Sequence, residues 1–289
     1  MSSNLPNGSG AVVSLWRYPV KSMLGEELTT ATVTDGGLLG DRAYGLIDQS
    51  TGKVASAKLP RKWGKLLGCQ SAFVEPPVLG KPLPPVRITL SDGIIVTSEH
   101  EQIDVFLSQL LQREVTLATQ RPKEPSVERL DALAAEETIL DIGALMMEGR
   151  FSDYAAVHLM TTATLDRLNE LYPQGRFDLR RFRPNIVVTP ASDQKGFVEN
   201  DWVGKTLAIG DQVRLRITDP CPRCAITTLA QSELPQDLGV LRAIAQHNQL
   251  GIPALDGEKL PSAGVYAFVL QGGTVSRGDT VRVESTTDH

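Results

Sequence analysis

Apolar and polar positions follow one another in short runs along most of the chain, and turn residues separate the runs at close spacing. Residues 12–18 are apolar, with β-branched and aromatic members, and predict a strand. Residues 46–56 predict a hairpin turning through Asp48, Gln49, Ser50, Thr51 and Gly52. Residues 86–97 predict a second, because Asp92-Gly93 between alternating apolar runs supplies the backbone of a tight turn. The period then changes. Over 101–111, Ile103, Phe106, Leu107, Leu110 and Leu111 share one face of an amphipathic helix and read as core. From 121 to 149 the pattern loosens into Pro, charge and short apolar groups, which reads as a connection with room for a short helical piece.

The second half resumes near Phe151. Residues 161–171 predict a helix capped by Thr161 or Thr162, with Leu165, Leu168 and Leu171 as its apolar stripe and Pro173 and Gly175 as its end. A strand over 185–189, a hairpin over 206–218 turning at Gly210-Asp211, a helix over 238–247 and strands over 264–270 and 280–284 complete the pattern. Many short strands with few helices predict a β-rich α+β fold built on barrels, not a doubly wound sheet. No internal repeat is visible. The expected organisation is a disordered stretch over 1–10, a β-barrel-like N-terminal domain over 11–120, a connecting segment over 121–150 and a second β-barrel domain with flanking helices over 151–286.

Composition adjusts this picture in three ways. At 289 residues, the chain exceeds the roughly 200 to 250 residues that one β-rich domain reaches, so two domains are expected. A net charge of −5 argues against a nucleic-acid binder, although it leaves room for one basic pocket. Three cysteines, an odd and low count, suit a reducing compartment better than a disulfide framework. The opening MSSNLPNGSGAVVSL has no basic flank and no long apolar run, so neither a secretory signal nor a membrane span is expected, and a cytoplasmic location follows as the default.

The sharpest local chemistry is Asp219-Pro220-Cys221-Pro222-Arg223-Cys224. Three readings compete. A structural zinc needs four ligands, and this chain offers one CxxC with only His247 nearby. A thioredoxin-like pair opens a helix after a strand, whereas Ala-Ile-Thr-Thr-Leu after Cys224 is β-branched. The third reading is a single functional thiolate, favoured by the adjacent Arg223 as a nucleophile or soft-metal ligand. Cys69 reads as a small buried hydrophobe, Cys221 as no second ligand, and His158 and His247 as structural.

The run CPRCAITTLAQSELPQDLGVLRAIAQHN resembles the metal-site segment of the MOSC family, in the branch that includes the mitochondrial amidoxime-reducing component. YPVKSM at 18–23, GDRAYGLID at 40–48 and FRPNIVV at 182–188 resemble other family segments, in the family's order, and the likeness spans about 13 to 283. The resemblance implies a molybdenum cofactor, with Cys224 as the metal ligand and catalytic thiolate; the family is also associated with pyridoxal phosphate binding. It offers Lys21, Ser22, Arg42 and Arg183 to the cofactor phosphate, since a phosphate wants cations and Arg forks. Thr161 and Thr162 at a helix start would add donors, Asn185 would read polar edges of the pterin, and Arg223 stands beside the metal. Each has a plainer alternative: surface charge for Lys21 and Arg42, a carboxylate partner for Arg183, a helix cap for Thr162, a turn for Asn185. The resemblance further implies reduction of a small N-hydroxylated substrate, or else a non-catalytic cofactor or sulfur carrier. A [2Fe–2S] cluster normally takes four Cys, so with three Cys in the chain electrons would come from an external electron-transfer protein. No nicotinamide or flavin fingerprint is present; the glycines at 36, 37 and 40 read as a turn among strands.

Overall fold

The computed structural model describes residues 9–131 and 138–284. Its centre is a closed barrel of seven strands. Going round, these are Val157–Thr161, Ile186–Pro190, Ser9–Arg17, Thr280–Glu284, Thr206–Ile209, Val213–Pro222 and Glu258–Gln271, which pairs back onto the first. Closure leaves no edge to template aggregation. Along Val213–Pro222 the inward positions Val213, Leu215 and Ile217 are fully buried, as the two-residue period of a strand requires. They meet Leu15, Leu159, Ile186, Leu207 and Val265 in one core. Every pairing in the ring is antiparallel except Val157–Thr161 with Ile186–Pro190. A parallel pair needs a crossover, and the helix Thr162–Leu171 lies within it.

A second core lies beside the barrel. It joins Val20, Met23, Leu46, Leu59, Leu66, Ile88 and Leu107. Around it stand the strand pair Gly45–Asp48 with Val115–Ala118, a three-stranded sheet from Gln70–Phe73, Val86–Thr89 and Ile95–Thr97, and the helix Ile103–Leu111. The turn expected in 46–56 is present, with Ala55 N–H donating to Leu46 O at 2.8 Å, but the long-range partner of that strand is Val115–Ala118.

The sheets cross the domain division expected from the sequence. Strand Ser9–Arg17 sits in the barrel between two strands of the second half, and Thr30–Thr34 pairs with Gly273–Ser276. The expected disordered stretch over 1–10 is corrected at its end: residues 9 and 10 are already strand, paired to Arg282 and Val281, and residues 1–8 lie outside the described residues. The chain therefore passes from one core to the other immediately after Arg17. Within the expected connection over 121–150, the described residues include Glu128–Leu130 paired to Ile139–Asp141 and a single turn at Gly143–Leu145. Among the described residues no helix is long and apolar enough to cross a membrane.

Candidate functional site

A cleft opens where the barrel end meets the second core. Its walls carry five cations, Lys21, Lys58, Arg42, Arg183 and Arg223, and one carboxylate, Asp153. The whole chain has a net charge of −5, so this is a local reversal of sign. Distant segments deliver these residues. Lys21 and Ser22 lie in the turn after Ser9–Arg17, and Lys21 N–H is fixed by Tyr44 O at 2.9 Å. Arg42 follows the hairpin of Thr30–Thr34, Arg183 caps the short helix Leu179–Phe182, and Arg223 and Cys224 follow the strand Val213–Pro222.

Three of these positions share a backbone feature. Ser22, Arg42 and Arg183 adopt left-handed φ values of 67°, 47° and 59°. Non-glycine residues rarely do so, and such strain persists where the surroundings enforce it, commonly at binding sites.

The cleft gathers positive charge around one aromatic ring. The Arg42 and Arg183 guanidiniums lie over the Tyr18 ring, 4.5 and 4.3 Å from its centroid. Arg183 donates to Met23 O at 2.7 Å, and Arg42 contacts Asp41 and Arg183 O. Burial, and then the neighbouring Arg42, push Arg183 down to about 10. Burial likewise pulls Lys21 below its usual value, although Asp153 opposes it. Lys21 donates to Phe151 O at 2.9 Å and pairs with Asp153, whose other oxygen takes Lys58 at 2.8 Å. Burial alone would raise Asp153, but the two lysines hold it far below the carboxylate range. One carboxylate thus serves two lysines, Asp41 pairs with Arg42, and among the described residues Arg183 and Arg223 have no carboxylate partner, so the cleft carries an excess of positive charge.

Arg223 donates to Cys221 Sγ at 2.8 Å and to Phe182 O at 2.9 Å, while its buried Nε has no partner. Cys221 is buried and Cys224 is half-buried; both are free thiols. The Cys224 carbonyl takes Thr227 N–H at 3.2 Å and Thr227 Oγ1–H at 3.0 Å, which holds the backbone in the single turn Ala225–Thr228. The CxxC therefore ends a barrel strand and opens no long helix, unlike a thioredoxin site. Among the described residues no three His, Cys, Asp or Glu side chains converge on a metal position.

Of the residues singled out in the sequence, Lys21, Ser22, Arg42, Arg183, Asn185, Arg223 and Cys224 line this cleft. Ser22 Oγ accepts Ala57 N–H at 3.0 Å. Asn185 is largely occupied with strand clamping: its Oδ1 accepts His158 N–H at 3.1 Å and its Nδ2 donates to Trp16 O at 3.2 Å. Thr161 and Thr162 are corrected. Thr161 is fully buried, caps its own helix by accepting Thr164 N–H at 3.2 Å, and donates to Glu199 Oε2 at 2.6 Å. Thr162 donates to Thr189 and lines a separate surface groove. The helix start has its own cap and its own buried carboxylate, so it presents no vacant donors to the cleft.

The sequence reading missed Lys58, Asp153, Tyr154, His158 and Tyr266, all of which line the cleft. His158 was read as structural. Its ring packs edge-on to Tyr266 at 5.8 Å, its Nε2 is buried without a partner, and burial followed by Arg223 pushes its pKa down to about 3. No local pattern marks these residues; their adjacency to the motif residues arises only across the barrel.

The comparisons with known proteins agree with this architecture. A MOSC N-terminal beta barrel domain matches residues 9–62 and a MOSC domain matches residues 147–282. The chain belongs to the MOSC-domain family. Its relatives include the mitochondrial amidoxime reducing component 2 of Rattus norvegicus, 24% identical over 290 residues, covering 94% of this chain and 82% of that one. The mitochondrial amidoxime-reducing component 1 of Homo sapiens is 26% identical with the same coverage of 94% and 82%. Among solved structures, the YUAD protein from Bacillus subtilis aligns over 96% of this chain and 97% of its own, with a TM-score of 0.44 and 11% identity.

Proposed function

We propose that the protein is a molybdenum-cofactor-dependent reductase of N-hydroxylated compounds that draws its electrons from a separate electron-transfer protein. The observation that carries this reading is the cleft in which five cations face one carboxylate with Cys224 in the wall. The family points the same way, and its mitochondrial relatives are named for amidoxime reduction.

The residues present fit the group. Arg42, Arg183 and Lys21 would hold its phosphate, relieving the repulsion between the two guanidiniums. Ser22 would add a hydroxyl donor, and the unpartnered Nε of Arg223 a further one. Cys224 would supply the thiolate to a metal already held by sulfur. When bound, the cofactor supplies the two-electron redox centre at which the N–O bond is cleaved, with two electrons and two protons needed to restore it. The chain's own groups orient and exclude water. Asp153 stays ionised and fixes Lys21 and Lys58, so it is a counter-ion and no acid. Tyr18, which burial pushes up to about 12, keeps its proton and spaces the guanidiniums. With three cysteines, one of them assigned to the metal, this chain has too few to hold an iron–sulfur relay.

The test is molybdenum analysis of protein made in a host that supplies the cofactor, followed by anaerobic turnover of benzamidoxime. Wild type is expected to carry molybdenum and to turn over with reduced methyl viologen but not with NADH alone. Cys224→Ser is expected to lose metal and activity, and Cys221→Ser to keep its metal. Loss confined to Cys221→Ser would overturn the ligand assignment. Molybdenum without turnover would point to a carrier, and activity with NADH alone to a missed cofactor site.

A further inference from the structure

Cys224 stands on the wall between two cavities. The second shares Lys58, Asp153, Tyr154, Pro222, Cys224 and Tyr266 with the cationic cleft. The rest of its lining is different in character. Ile142 and Leu145 come from the connecting segment, and Ile252, Ala254 and Leu255 from the stretch that follows the helix Gly239–His247. These are apolar side chains, and Leu145 is 40% exposed although it is a leucine. Lys58 on the shared wall is already paired with Asp153 at 2.8 Å, which leaves Arg129 as the remaining charged side chain of the lining.

The chamber is held open by a buried acid. Asp219 is 2% exposed and bridges two of its walls: Oδ2 accepts Tyr154 Oη–H at 2.7 Å, and Oδ1 accepts Ala254 N–H at 3.0 Å. The Tyr154 ring packs against Tyr266 and Phe268 with centroids 5.4 and 6.1 Å away. On the opposite side Ile142 N–H is fixed by Val127 O at 2.9 Å, and Gly143 N–H by Asp141 Oδ1 at 2.9 Å. A preformed apolar cavity with a few fixed polar groups at one end is the usual shape of a small-molecule site.

We propose that this chamber is the substrate subsite, taking the aryl or branched-alkyl group of an uncharged N-hydroxylated compound so that its N–O end meets the centre held by Cys224. The inference rests on the reductase reading for the identity of the reacting end. It adds the chemistry of the remainder: selection by apolar surface, made by Ile252, Ala254, Leu255, Ile142 and Leu145. The division of labour follows from the two linings. A phosphate-bearing pterin has no use for the apolar chamber, and an uncharged apolar group gains nothing in a cleft of five cations. The two ligands therefore approach Cys224 from opposite sides.

The experiment compares benzamidoxime with acetamidoxime, which differ only in the group that would enter the chamber. On the cofactor-loaded protein, wild type is expected to prefer benzamidoxime by about tenfold or more in kcat/KM, the scale that burying a phenyl in place of a methyl predicts. Ala254→Trp, at an exposed position, fills the chamber and is expected to collapse that ratio, chiefly through KM. Leu255→Asn should lower it in the same direction. A second readout, ligand-observed NMR of benzamide with the cofactor-free protein, needs no turnover: saturation transfer is expected with wild type and not with Ala254→Trp. Unchanged melting temperatures keep the variants interpretable. Turnover with a ratio indifferent to both variants would overturn the subsite and leave the reductase reading intact. Benzamide binding abolished by Ala254→Trp in a protein that reduces nothing would keep the subsite and overturn the reductase reading.

Discussion

The cationic cleft and the start of the helix Thr162–Leu171 are both places where polar groups gather, and they have been resolved in opposite ways. At the helix start the hydrogen bonds close among neighbours, and the group left over is a single buried oxygen, Glu199 Oε1. Thr161 caps the helix, and Glu199 accepts Thr161 Oγ1–H at 2.6 Å and Thr164 Oγ1–H at 2.7 Å. In the cleft positive charge is in excess: Arg42 and Arg183 lie over the same tyrosine ring, Asp41 pairs with Arg42 alone, and Asp153 serves two lysines. A polar cluster closed largely on itself is structure, while one that gathers an excess of a single charge sign is suited to a counter-ion.

The contrast breaks most visibly at the arginines. Replacing Arg183 or Arg42 by Met should cost roughly 1.5 to 3 kcal/mol of cofactor affinity, about ten- to a hundredfold, read as molybdenum retained at limiting cofactor. Thr162→Ala should leave the metal content at the wild-type level. Equal losses in all three would put the helix start back into the site. The reverse experiment is Thr161→Ala, which removes a cap and the buried hydrogen bond to Glu199. It should lower unfolding free energy in urea by about 1 to 2 kcal/mol with molybdenum content unchanged; loss of metal before loss of stability would count against the separation of the two regions.

The smallest effect is a difference in pH response, because His158 in the cleft and Glu199 at the helix start are shifted by burial with opposite consequences. His158 has its pKa depressed to about 3 by burial and Arg223, so the unfolded chain binds the extra proton below about pH 6.5. Its contribution is present above that pH and is lost as pH falls toward the folded value. Between pH 7.5 and 5.5 the stability of wild type relative to His158→Gln should therefore fall by about 1.4 kcal/mol. Glu199 has its pKa raised by burial, which gives the opposite sign. Its contribution is complete below about pH 4.5 and is lost as pH rises through the folded value, so wild type should lose ground to Glu199→Gln on raising the pH from there. Urea melts at four pH values test both signs, and parallel slopes for wild type and His158→Gln would show that His158 is solvated.

Many elements of both cores were legible from local pattern. The hairpins turning at Gly210 and at Asp92-Gly93, the helices Ile103–Leu111 and Gly239–His247 and the closing strand Thr280–Glu284 all lie where periodicity and turn residues put them. The limits of strands were less legible. The expected strand over 264–270 runs as Glu258–Gln271, because its length is set by the partners Val213–Pro222 and Gln249–Ile252 and not by its own sequence. Cys224, Arg223, Lys21, Arg42 and Arg183 were legible because they sit in short segments resembling a known family. Lys58, Asp153 and Tyr266 carry no such segment and were missed.

By itself the sequence determined which stretches are strand, helix or turn, since side-chain period and turn chemistry act over a few residues. It also determined the residue types available for an anion and a soft metal. Only the tertiary structure decided that residues 21, 42, 183 and 223 share one cavity with Cys224, because their backbones are set by bonds between distant segments. Arg42 N–H reaches Tyr18 O at 2.8 Å, Lys21 N–H reaches Tyr44 O at 2.9 Å, and Arg223 N–H reaches Pro261 O at 2.7 Å. The same long-range closure withdrew Thr161 into the interior and set Ile142 of the connecting segment and Ile252 in the lining of one apolar chamber. Which contacts a residue makes across a barrel depends on register and closure of all seven strands together, and no window of sequence contains that information.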